Sequence, residues 1–162
     1  MNDLLNKLSS YNLFNYLLPG VLYVVFISKL TDINLIQKDL LIGGFLYYFI
    51  GLIISRIGSI LLEPLLKSIS FVKFSKYKDF VKASQNDSKI EILSETNNMY
   101  RTLISLFISI GLTVLYYFLA TQYPILEEWS IHILILLIFI MFLFSYQKQT
   151  KYITNRIKSN LE

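Results

Sequence analysis

Residues 51–66 read GLIISRIGSILLEPLL, and this stretch decides the fold, because Arg56 and Glu63 stand in a run that is otherwise apolar, small or proline. An amphipathic helix of a soluble protein would carry polar residues along a whole face, and this one does not. Two opposite charges near one end of an apolar run fit a helix that crosses a bilayer. At its inner end Arg56 can snorkel to the headgroups and Glu63 can reach water. Seven residues apart, the two fall on the same side of a regular α-helix, so they are expected to form an inner ion pair, with each other or with another helix.

Three further runs have the length of about 17 to 25 residues that a spanning helix needs. They are YNLFNYLLPGVLYVVFISKL (11–30), TLISLFISIGLTVLYYFLAT (102–121) and WSIHILILLIFIMFLFSY (129–146). With 54% hydrophobic and 16% charged residues, the 162-residue chain holds more apolar surface than one small soluble core can hide. A bundle this short cannot enclose four helices that are apolar all round. The first run is expected to stay as a mature helix rather than be a cleaved signal, since Asp3 offsets Lys7 and no A-x-A-like site follows it. The sequence therefore predicts an all-α integral membrane protein in a single membrane domain over 1–162. Its spans are 11–30, 40–62, 102–121 and 129–146, with a cytoplasmic helical segment at 63–101 and a cytoplasmic tail at 147–162.

The basic residues set the orientation. Lys67, Lys73, Lys76, Lys78, Lys82, Lys89 and Arg101 lie between the second and third runs, and Lys148, Lys151, Arg156 and Lys158 follow the fourth, against only Lys29 and Lys38 in the other two loops. By the positive-inside rule both termini and the 63–101 segment face the cytoplasm of a cell-membrane protein, and Glu127 and Glu128 face outward. Basic residues beside spanning helices suit anionic lipid, so direct nucleic-acid binding is not expected despite the charge of +4. The segment reads as two short helices broken near SQNDS, with Phe71, Phe74, Tyr77, Phe80 and Val81 forming an apolar side suited to the bilayer surface or to a subunit contact. Lys73, Lys76, Lys78, Lys82 and Lys89 make it the expected cytoplasmic input surface.

Within the spans two features invite a functional reading. Gly51, Ser55 and Ser59 recur every four residues, with Gly44 and Gly58 near that side, and small residues let helices approach closely. This stripe is the expected packing seam, within one chain or between the subunits of a homo-oligomer. Pro19 cannot donate to the Asn15 carbonyl, so Asn15, Pro19 and Gly20 mark an expected hinge, and Pro64 is expected to end or kink the second helix.

Chemistry-bearing groups are few. Without cysteine and with one histidine, His132, the chain has no thiolate or histidine metal set, and no cofactor or metal is expected. There is no phosphate-cradling glycine loop, HExxH or GxSxG. Arg56 and Glu63 lie at the inner face and His132 at the outer, so no enzyme is expected. Tyr47, Tyr48, Tyr116 and Tyr117 suit belt or packing roles.

YNLFNYLLPG (11–20), with its Pro19–Gly20 pair, and YYFIGLIISRIGSILLEPLL (47–66) resemble small bacterial four-helix membrane proteins encoded in antiviral defence loci. The membrane subunits of Kiwa, of Hailong and of CRISPR-accessory systems are of this type. The resemblance implies an effector or sensor beside a nucleotide-making, nuclease or CRISPR component. Without a separate ligand-binding domain, a nucleotide signal would act through 66–101 or a cytoplasmic protein partner. Two functions follow: an oligomeric channel or membrane-disrupting effector triggered from the cytoplasm, or a non-conducting sensor or anchor that recruits a partner through 66–101.

Overall fold

The computed structural model describes residues 11–161, and among these residues there is no strand. Helix α1 covers 11–30, with a π-helical turn at Leu13–Leu17 leading into Leu18–Leu30. Helix α2 covers 40–68, where Leu40–Ile57 is followed by a second π-helical turn, Gly58–Leu62, and a last stretch, Glu63–Ser68. Helix α3 is Tyr77–Asn86, α4 is Lys89–Gln122 and α5 is Pro124–Leu161. Four of these, α1, α2, α4 and α5, are long and apolar enough to cross a membrane. The orientation expected for the amino terminus, including Asp3 and Lys7, lies outside the described residues.

Each π turn ends two residues before a proline. The Leu18 N–H reaches back five residues to the Leu13 carbonyl just before Pro19, and the Glu63 N–H reaches the Gly58 carbonyl just before Pro64. A proline ring clashes with the carbonyl four residues earlier, and a turn widened by one residue relieves that clash. Pro64 therefore does not end the helix, which continues to Ser68. Pro19 likewise sits inside a continuous α1, buried against its neighbours.

The small-residue stripe is used inside the chain. Where α1 and α2 cross, Gly20 faces Gly51, and a β-carbon on Gly20 would overlap the Tyr47 carbonyl oxygen while one on Gly51 would overlap that of Tyr16. Such close approach is available only to glycine, and it brings Cα–H groups toward carbonyl oxygens of the facing helix. Gly58 closes on α4 in the same way, its missing β-carbon 3.1 Å from the Ser105 side chain. Of the two packings expected for the seam, the one within the chain is seen, with α1 and α4 filling it. Gly44 takes no part, because nothing stands within 4 Å of where its side chain would be.

Around this crossing α1, α2 and α4 form a three-helix core in which Ile27, Ile54, Leu106 and Ile110 are buried. Helix α5 lies against the core more lightly. None of its most apolar stretch is buried in the chain, and it is pegged by Phe49 stacked on Phe142, by Tyr116 bonded to Ser130 (2.8 Å) and by Lys148 bonded to Ser59.

Length separates a head from the spans. At 1.5 Å per residue the 34 residues of α4 and 38 of α5 extend about 51 and 57 Å, against about 30 Å of bilayer hydrocarbon. Both are longer than one crossing needs, and α3 packs on both. Val81 is buried there and the Tyr77 ring stands 6.1 Å from that of Tyr152. The apolar side of α3 is therefore covered by the chain itself, while Phe71 and Phe74 remain exposed. The break near SQNDS falls at Asp87 and Ser88, where the Asp87 carboxylate accepts from the Lys89 N–H (2.9 Å). The second expected short helix is no separate element, since α4 runs unbroken from Lys89.

Candidate functional site

The polar groups of the core form one line that ends in a cluster of charge. Its upper part is a triangle. The Asn15 Nδ2 donates to Ser55 Oγ (3.3 Å), the Thr102 hydroxyl donates to Asn15 Oδ1 (2.9 Å), and the Thr102 and Ser55 hydroxyls stand 3.1 Å apart. Each member comes from a different helix and is buried, Asn15 and Thr102 almost completely. The π turn carries Asn15, which is buried there. Ser105 adds a bond to the Ile54 carbonyl (2.8 Å). A polar group left unpaired in a dry interior costs about 1–3 kcal/mol, so the triangle specifies how the three helices are rotated against one another.

The charge cluster lies where α2 leaves the core. Glu63, 6% exposed, takes Lys67 Nζ (2.9 Å) and Lys148 Nζ (3.5 Å) on Oε1 and the Arg101 guanidinium on Oε2. Lys148 also donates to the Ser59 carbonyl (2.6 Å) and hydroxyl (2.8 Å). That carbonyl has no backbone donor available: Glu63, four residues on, donates to Gly58, and Pro64, five residues on, has no N–H. Lys148 thus supplies from α5 the bond that proline denies α2. Three cations around one carboxylate leave an excess of two positive charges.

Arg56 is not among the partners of Glu63. The π turn between them inserts one extra residue and rotates Glu63 by about 100°, so the alignment of a regular i, i+7 pair is lost. Of the two expectations, a mutual Arg56–Glu63 pair is not formed, whereas pairing with another helix holds for Glu63, which meets Arg101 of α4 and Lys148 of α5 besides Lys67.

The remaining expected residues fall into two groups. Asn15, Pro19, Gly20, Gly51, Ser55, Gly58 and Ser59 converge on the core, where they pack and bond rather than line a path. Lys73, Lys76, Lys82 and Lys89 are exposed and Lys78 is half-buried, spread over α3 and its flanks. Sequence reading passed over Thr102, Ser105 and Ser109, although their spacing of three and four marks a polar stripe on the third span. It also passed over Arg101 and Lys148, which stood out only as orientation charges. Among the described residues no group of three or more His, Cys, Asp or Glu could hold a metal ion.

No family model, curated protein or solved structure matches this chain.

Proposed function

We propose that the chain is a non-conducting anchor or sensor subunit of the cytoplasmic membrane, with its basic head held on the cytoplasmic side for a partner protein. One observation carries this reading: the polar side chains Asn15, Ser55, Ser59, Thr102 and Ser105 turn inward and are bonded within the chain, while the outward faces are apolar. Phe14, Val25 and Phe26 of α1, Phe45 and Phe49 of α2, Phe107 and Leu112 of α4, and Leu136 and Phe139 of α5 are all exposed. Such faces suit lipid. Among the described residues the outward faces of the spans offer copies of this chain little besides Arg56 with which to line a polar path, and the glycine seam that would have joined them is occupied.

The head supplies the surface a partner would meet. Besides the exposed lysines it carries a shallow groove of about 400 Å³ between α3 and α5, bordered by Tyr77, Phe80, Glu91, Tyr152, Ile153 and Arg156. In the defence setting implied by the sequence resemblance, the partner would be the nucleotide-making, nuclease or CRISPR component. Reconstitution in liposomes tests the core of the reading. Wild-type protein is expected to release neither trapped dye nor ions, and sustained release would overturn the anchor in favour of an oligomeric channel or membrane-disrupting effector.

A further inference from the structure

The geometry points to a binding site for the phosphate of an anionic lipid headgroup at Lys67 and Arg101, beside Glu63. This rests on the reading that the chain crosses a membrane. The three cations that meet Glu63 differ in what they have left to give. Lys148 spends its donors on Glu63 and on both oxygens of Ser59. Lys67 makes one hydrogen bond, to Oε1, and otherwise leans over the Phe74 ring (4.1 Å) with 43% of its side chain exposed. Arg101 makes one hydrogen bond, to Oε2; its Nε is buried without a partner, and its side chain is 18% exposed. Two partly exposed cations, each with a single hydrogen bond, therefore flank the two oxygens of one carboxylate. The excess of two positive charges favours a second anion there.

The surroundings match a lipid. The Phe74 ring, itself exposed, lies against Lys67 Nζ and gives the site an apolar neighbour on which an acyl chain can rest. The cluster sits at the basic end of the spans, where the headgroups of the cytoplasmic leaflet stand in the proposed orientation.

The test uses the full chain purified in a neutral detergent and counts bound lipid by native mass spectrometry during titration with phosphatidylglycerol, phosphatidylcholine or glycerol phosphate. Wild type is expected to retain phosphatidylglycerol in preference to phosphatidylcholine. Lys67→Gln should weaken phosphatidylglycerol about fivefold, the effect of one cation near a membrane surface. Glu63→Gln should strengthen it about fivefold, since removing the carboxylate leaves three uncompensated cations. Lys73→Gln, an exposed lysine outside the cluster, should leave it within about twofold. Equal retention of both lipids, an equal loss in Lys73→Gln and Lys67→Gln, or weaker binding in a folded Glu63→Gln would each overturn the site. Displacement of the lipid by glycerol phosphate at matched concentration would overturn the lipid as source and assign the site to a soluble phosphate ester. If Glu63→Gln does not fold, the half-exposed Lys67 variant decides alone. The measurement in detergent is independent of topology and of any partner, so its failure leaves the anchor reading to be judged by liposome release.

Discussion

Gly20 and Gly51 meet face to face where α1 crosses α2, each occupying space that a β-carbon would take from the other helix's backbone. The obstruction is a carbonyl in both cases, Tyr47 for Gly20 and Tyr16 for Gly51, and a carbonyl held in a helix cannot swing aside as a side chain can.

Alanine at either glycine is therefore expected to destabilise the fold by about 1–3 kcal/mol, the usual cost of overpacking. Gly44→Ala and Gly111→Ala, both facing open space, should stay within about 0.5 kcal/mol of wild type. Denaturant unfolding in micelles measures the four. A Gly51 variant that keeps its stability but changes in size on gel filtration would return the seam to a contact between copies.

The Asn15, Ser55 and Thr102 triangle should behave as one unit. Thr102→Val leaves Asn15 Oδ1 without its hydroxyl donor and is expected to cost about 1 kcal/mol, since polar pairs inside membrane proteins measure about 0.6 and at most about 1.7 kcal/mol. In a double-mutant cycle with Asn15→Leu, the two losses should fall short of additive by a similar amount. Strict additivity would mean that the bonds do not act together.

The charge cluster separates Arg101 from Arg56. Arg101→Gln removes the group bonded to Glu63 Oε2 and should destabilise by up to about 3–5 kcal/mol, scaled down for the exposed part of the site. Arg56→Gln should change stability by less than about 0.5 kcal/mol. Thermal unfolding in detergent decides, and the reverse ranking would restore Arg56 as the partner of Glu63.

Topology is checked with single cysteines, since the natural chain has none. In intact cells an impermeant thiol reagent is expected to label a cysteine placed at Glu127 and to spare one at Ser88. Labelling at 88 alone would invert the orientation and with it the cytoplasmic placing of the head.

Hydropathy along the chain was enough to locate four helices of spanning length, because the cost of burying a polar backbone and side chain is a local quantity that adds up residue by residue. The turn at Asp87 and Ser88 was legible for a similar reason, since an Asx side chain bonds its own neighbouring backbone. Partner choice was not legible in this way. Whether Glu63 meets Arg56 or Arg101 depends on the rotation of α2 about its axis, and that rotation is reset by a π turn for which Pro64 is the sole sequence mark. Whether Gly51 faces a second copy or Gly20 depends on which helix arrives first at the same close-packed surface, and the loop at 31–39 holds α1 beside it. The sequence by itself determined which segments can live in a bilayer. The tertiary structure alone decided which side chains meet, because contacts across 38 to 89 residues follow from helix rotation and crossing, which no count of spacings along a regular helix contains.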